Sequence, residues 1–485
     1  MRTQFNNLMP DQPSLDNGGL LTANNCIPYE RGYGPFPDPA IAAAALAAQC
    51  RGAFSGLDTA GGVTNFAGTQ TKLYKLATAS WSDATRAAGG DYDIGTEGMW
   101  EFVTVQDTVI AVGGNVNQIW SLGSSTNFAT LSGSAPLMAH ITVIRDFAVG
   151  GNISGAPNRV QWSAIGNPLD WNVSATTESD YQDLIGDNSS VQKILGGEFG
   201  TVLTGGSVWR MSYVGSPLVF QFDRIETGIG CLAGGSAVRH FGLTFFLSDQ
   251  GFFATDGGSV VPIGDGQIDR TFLDELDSNY LHKICATVDP VNKLYLVAYP
   301  GSGNNGICNR IVAYNFVSKR WATADQTLEY IYSRLTDGYT LEGLDAISTS
   351  IDALPASLDS RQWVGGLKLL AGFDGSHQLL SFNSGSYKDA RFETGEAQLT
   401  TDRRSFIRSV TPLVEGSAMT TVSARIGQRE TLTDAVSYTN SSARNAQGKC
   451  PLRANGQYQR LRIDVSGGFT QAYGADIEVA PNGSR

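Results

Sequence analysis

The sequence predicts an all-β chain: a β-propeller of six or seven degenerate blades over residues 51–390, then a small antiparallel β-sandwich-like domain over residues 391–485. Three observations carry this reading. A short apolar strand, a Gly-Gly or Asp-Gly turn and a second strand with an aromatic recur six times along the chain. The first five copies lie about 40–50 residues apart, the length of a four-stranded propeller blade. Glycine supplies 57 of 485 residues, about 12% against a usual 7% or so, as a chain of many short strands and tight turns requires. One hairpin cannot bury its own apolar face, whereas a ring of them can. A β-sandwich of similar hairpins is the alternative.

Residues 1–50 are an extended arm rich in Asn, Gly and Pro, carrying a short helix over the alanine run Ile41–Ala48. Asp38 would cap that helix, with Pro39 at its first position. The recurring hairpins are Val63–Gly68 with Lys72–Leu76, Thr108–Gly114 with Gln118–Leu122, Ile144–Gly151 with Arg159–Ser163, Gly200–Gly206 with Ser207–Met211, Leu243–Asp249 with Gly251–Thr255, and Lys368–Gly375 with Gln378–Phe382. Between the last two, Ile284–Val288, Leu294–Tyr299 and Arg310–Asn315 read as three strands around an Asp289-Pro290 turn and a Gly/Asn loop. Arg320-Trp321 follows, and the unit looks like a kelch-style blade. A second helix interrupts the repeat over residues 269–281, with Phe272, Leu273, Leu276 and Tyr280 on one face. Beyond residue 390 the segments 398–401, 408–414, 421–426, 459–465 and 475–479 alternate polar and apolar residues, as half-buried antiparallel strands do.

The chain carries 34 Lys and Arg against 46 Asp and Glu, a formal net charge of −12. That disfavours a phosphate-gripping surface and suits a wall past which nucleic acid slides without sticking. The polar surface is mostly uncharged, since charged residues make up 16% against roughly 25% in ordinary domains. Six cysteines, Cys26, Cys50, Cys231, Cys285, Cys308 and Cys450, show no ligand spacing and read as buried thiols of a chain folded in a reducing cytoplasm. The N-terminus has no apolar leader, and the alanine run is far shorter than the roughly 20 residues a membrane span needs, so neither a leader nor a span is expected.

No catalytic, cofactor-binding or metal-binding residue is expected. The histidines His140, His240, His282 and His377 stand in no ligand motif and read as structural. There is no nucleophile elbow and no phosphate-binding loop; Gly228-Ile-Gly230 mimics part of a dinucleotide fingerprint but leads into a strand. The carboxylate pairs Asp91/Asp93 and Asp265/Asp269 would suit a glycosidase or a calcium loop, yet they sit in Gly-rich turns where aspartate serves the turn itself. Arg403, Arg404, Arg408, Arg460 and Arg462 read as ion-pairing residues at a subunit interface. Trp162 and Trp171, around an Asn-Pro turn, read as filling between blades rather than as a sugar platform.

The segment Arg159-Val-Gln-Trp-Ser-Ala-Ile-Gly-Asn-Pro-Leu-Asp-Trp171 resembles a stretch common in virion proteins of tailed bacteriophages. Gly206–Met211, Glu226–Cys231, Phe245–Phe253, Pro262–Arg270 and the C-terminal segments within residues 456–479 follow in the order seen in the tail hub or nozzle family, also called packaged-DNA stabilisation proteins. The resemblance covers about residues 100–480. It implies a structural protein of a short-tailed phage, a hexameric ring in the virion tail, assembled in the host's cytoplasm. Its partners would be the portal-adaptor, tail fibres or spikes and a needle or plug, with double-stranded DNA passing through the lumen without sequence-specific contact. The acidic turns at 249–274 or 91–101 would face that lumen. The competing readings are a propeller enzyme acting on polysaccharide and a monomeric propeller scaffold.

Overall fold

Each recurring hairpin supplies the second and third strands of a four-stranded antiparallel sheet, and seven such sheets form a ring of blades. The computed structural model describes residues 1–485 except 187–188, 337, 339–343, 346, 355–356, 360–362, 364–365, 401–402, 418 and 482–485. The innermost strands, blades 1 to 7 in order, are Ala53–Leu57, Glu101–Val105, Met138–Ile144, Val191–Leu195, Val238–His240, Cys285–Asp289 and Tyr330–Leu335. The innermost strand of blade 7 packs on that of blade 1, which closes the ring.

Large side chains fill the wedges between blades. Phe66, Trp100, Trp120 and Phe128 pack together between blades 1 and 2, and Trp171 joins Met138 and Ile110 between blades 2 and 3. Trp162 lies with Phe147, Met211 and Phe220 between blades 3 and 4. Both tryptophans of the Asn-Pro turn are thus buried filling, as expected from the sequence. The unit that looks kelch-like is blade 6, with strands Cys285–Asp289, Leu294–Pro300, Cys308–Asn315 and Arg320–Leu328.

The alanine run is not a helix. Ala40–Ala45 is the outermost strand of blade 7, pairing antiparallel with Gln378–Ser381. The physical reason is tertiary. Alanine's helix preference is worth only tenths of a kcal/mol per residue, whereas the third strand of blade 7 otherwise leaves a row of unpaired N–H and C=O groups. Asp38 caps no helix; its backbone N–H donates to Ser386 O (2.9 Å) and its carboxylate pairs with Lys388 Nζ (3.3 Å).

The rest of the arm joins the C-terminal strands in a sandwich. One sheet runs Cys26–Pro28, Tyr33–Pro35, Phe469–Pro481, Ser405–Gly416, Cys450–Gly456, with Arg2–Gln4 also paired to Phe469–Pro481. The other contains Leu20–Asn24, Ala390–Thr394, Tyr458–Ser466 and Thr421–Arg429, and continues into blade 6 through a parallel bridge between Asn24 and Thr323. Residues 398–400 form no strand, with a bend at 399–400, and residues 401–402 lie outside the described ones. Helix α1 spans Asp269–Glu275 and is followed by a kinked 3₁₀ segment, Ser278–Lys283, so the expected helix is shorter and Tyr280 falls beyond its end. Phe272 and Leu276 enter a core shared with blades 5 and 6 and with the sandwich.

Arg320 fastens the arm. It is buried, and its guanidinium donates to four carbonyls: Tyr29 O (3.1 Å), Gly32 O (3.2 Å), Phe5 O (2.6 Å) and Asn6 O (2.6 Å). It also stacks 4.6 Å from the Tyr33 ring centroid. The adjacent Trp321 donates from its indole nitrogen to Ile263 O at 3.0 Å.

Candidate functional site: the central cavity of the propeller

A cavity of about 710 Å³, lined by residues from the innermost strands of blades 2 to 7, lies at the propeller axis, within the size range of small-molecule sites. Strands of a blade alternate in direction, so the first residues of every innermost strand gather near one end of the axis. There Glu101 of blade 2 meets His140 of blade 3 and Lys193 of blade 4. Glu101 Oε1 lies 2.8 Å from His140 Nδ1 and 2.7 Å from Lys193 Nζ, and Oε2 accepts from Ile141 N at 3.4 Å. Burial pushes the Glu101 carboxyl up, but the charges of Lys193 and His140 and their hydrogen bonds outweigh it and hold the value down at about 2. Glu101 is therefore a fixed anion that ties three blades together.

At the other end the wall is cationic. Val238–His240 of blade 5 brings Arg239 and His240 to the cavity, and Lys368 of blade 7 stands at its mouth. Burial and the charge of Lys368 both lower the His240 pKa. Burial alone lowers that of Arg239, whose guanidinium donates to Phe199 O (2.5 Å) and stacks 4.2 Å from the Phe199 centroid.

The residues singled out in the sequence are scattered. Asp91 pairs with Lys72 (3.8 Å), while Asp93 accepts from Gln70 Nε2 (3.1 Å) and Gly95 N (3.0 Å), the turn role expected of it. Asp265 is exposed, whereas Asp269 is buried and accepts from Phe252 N at 3.0 Å. Burial, with Asp11 and Asp265 nearby, raises the Asp269 carboxyl to about 6 despite that bond. His140, His240 and His282 line the cavity; His377 Nδ1 lies 2.7 Å from Glu329 Oε1 in blade 7. Arg404 pairs with Glu430 (3.0 Å), Arg460 with Glu393 (2.9 Å) and Arg462 with Asp464 (3.2 Å), all within the chain. All six cysteines are buried free thiols. Among the described residues no group of three or more His, Cys, Asp or Glu is placed to hold a metal, and no helix is long and apolar enough to cross a membrane.

The Glu101 cluster has no signature in the sequence. Its members come from three blades, Glu101 opening its innermost strand and His140 and Lys193 standing third in theirs, and only the ring brings them together.

No family model matches the chain, and no curated protein matches it by sequence. Among solved structures it is similar to the WD40 domain of Neurospora crassa Pan2, at 9% identity and a TM-score of 0.38 over 69% of this chain and 89% of that one. BBS1N, in complex with ARL6DN, is similar at 11% identity and a TM-score of 0.40, over 74% and 96%. A streptogramin B lyase is similar at 12% identity and a TM-score of 0.39, over 60% and 92%. Similarity this distant says nothing of function; the propeller stands on the strand order of the seven sheets.

Proposed function

We propose that the chain is a structural virion protein that forms the tail nozzle or hub ring of a short-tailed bacteriophage. The ring joins the portal-adaptor to tail fibres or spikes, retains the packaged genome and conducts it outward at infection. The ordered motifs between Arg159 and Val479 support this function, and the placement of the acidic residues adds to them. The two acidic segments emerge on the same face of the propeller: 91–101 links blades 1 and 2, while residues 249–250 and 263–274 lie in a turn of blade 5 and in the link to blade 6. Asp91, Asp93, Glu97, Asp249, Asp265 and Asp274 are exposed there. Fixed negative charge on a wall lowers the affinity of passing phosphates. The sheet that runs from blade 6 into the sandwich also supports the reading, because it suits a subunit that must transmit load between partners.

The test is DNA release from particles assembled with the paired charge reversal Asp249→Lys and Asp265→Lys. The proposal expects slower ejection with unchanged packaging. Ejection at the wild-type rate would remove the acidic face from the account.

A further inference from the structure

Three adjacent strands of the sandwich, Ala390–Thr394, Tyr458–Ser466 and Thr421–Arg429, send alternate residues into the core, among them Phe392, Ile463, Val465, Ala424 and Ile426. The residues between these share the opposite face of the sheet, and the register lines them up. Glu393 stands opposite Arg462, Arg462 opposite Arg425, and Arg391 opposite Asp464, with Arg460 one row away. Both carboxylates on this face are already engaged. Glu393 takes Arg460 (2.9 Å) and the Tyr438 hydroxyl, and Asp464 takes Arg391 (2.8 Å) and Arg462 (3.2 Å). Arg425 is left over. Its guanidinium makes no ion pair or ring contact among the described residues, and its Nε is buried without an acceptor. It also faces Arg462 directly, and like charges in a cross-strand pair weaken a sheet. A half-buried arginine without an acceptor is uncommon; its counter-charge is to be sought outside the chain. The sequence placed Arg460 and Arg462 at a subunit interface; both pair internally, and Arg425 beside them does not.

We propose that this face docks against the acidic propeller of a second copy of the chain, a carboxylate of which pairs with Arg425. The chain's own charge distribution favours that partner. Residues 391–485 hold 12 Lys and Arg against 9 Asp and Glu, whereas residues 1–390 hold 22 against 37. The sandwich is thus basic and the propeller strongly acidic, so unlike parts of two copies attract while like parts repel. A contact between two different patches is the heterologous kind from which rings are built, and a guanidinium meeting a carboxylate in two parallel bonds fixes its orientation. The inference rests on the ring proposed above and assigns one side of its subunit contact. Duplex DNA fits this face less well, because Glu393 and Asp464 flank Arg425 and repel phosphates.

The experiment is sedimentation of the full chain over a range of concentrations, for the wild type, Arg425→Glu and Arg453→Glu. Arg453 is exposed on a strand of the other sandwich sheet and controls for the change in charge. Arg425→Glu should raise the concentration at half-assembly about tenfold or more, while Arg453→Glu leaves it unchanged. Its glutamate faces Arg462 in register, an opposite-charge pair in place of a like-charge one, so its melting temperature should not fall; loss of assembly is then not loss of fold. Salt of about 0.5 M should weaken wild-type assembly in the same sense. Assembly of Arg425→Glu equal to the wild type's overturns the docking face and leaves the ring standing. A wild-type chain that stays monomeric throughout overturns the inference, while a ring formed only on the adaptor remains open to its own test. Loss of duplex-DNA binding in Arg425→Glu, with assembly intact, makes the face a nucleic-acid site and also overturns the proposal.

Discussion

Glu101 and Lys193 stand 92 positions apart in the chain and belong to blades that are not neighbours, yet Lys193 Nζ lies 2.7 Å from Glu101 Oε1. His140, from the blade between them, completes the contact. Glu101→Gln removes the counter-charge of the Lys193 ammonium in a site with little solvent. Breaking a buried pair by removing one partner costs about 3–5 kcal/mol, so the urea midpoint should fall markedly, and Lys193→Met combined with Glu101→Gln should recover part of the loss.

The same contact sets an acid limit. The folded-state value of Glu101, about 2, lies below its ordinary 4.5. A carboxyl depressed in this way contributes stability that is complete above its unfolded value and is lost as pH falls through the window from 4.5 toward 2. Denaturation midpoints measured across that window should show a wild-type decline that Glu101→Gln reduces.

Asp269 behaves in the opposite sense. Its folded value of about 6 lies above its ordinary 3.8. Between those values the folded chain binds more protons than the unfolded one, so this group lowers stability as pH rises from about 4 to 6. Asp269→Asn should abolish that slope in midpoints taken between pH 4 and 7. The site is also close-packed: a Cβ on Gly264 would lie 2.0 Å from Asp269 Oδ1. Gly264→Ala should therefore destabilise by about 1–3 kcal/mol, as overpacking does.

Arg320→Met would leave the carbonyls of Phe5 and Tyr29 without this donor, while Asn6 O keeps the Tyr33 hydroxyl (2.7 Å) and Gly32 O keeps Tyr29 N (3.1 Å). Each unsatisfied buried acceptor costs about 1–3 kcal/mol. The arm should loosen first, and limited proteolysis should cut within residues 1–37 while the blades stay protected.

Ring closure rests on the alanine strand. Ala43 is buried against blade 7 and pairs with Leu379. Ala43→Asp places an unpaired carboxylate there and should cost about 3 kcal/mol or more, read as an early thermal transition of the propeller.

The blades were legible because their central hairpins obey a local rule, a short apolar strand, a glycine turn and a second strand with an aromatic, that a single sequence displays. Arg320-Trp321 was legible as part of a kelch-like blade, though its grip on the arm was not. The alanine strand was illegible for a physical reason. Local preference in Ile41–Ala48 favours a helix, and only the vacant edge of Gln378–Ser381, more than 300 residues later, overrides it. The cavity was illegible for the same reason: Glu101, His140 and Lys193 each look ordinary, and the ring alone brings them together. The aspartates fared unevenly. Asp93 serves its turn as composition suggested, whereas nothing local marks Asp269 as buried.

The central claim is that copies of this chain assemble into a ring around a channel. The most direct measurement is the mass of the purified full-length protein in solution, alone and with a portal-adaptor complex, with electron images of the same samples. The account predicts a species of six chains with a central hole, either free or formed on the adaptor. A strict monomer that never joins the adaptor would contradict it.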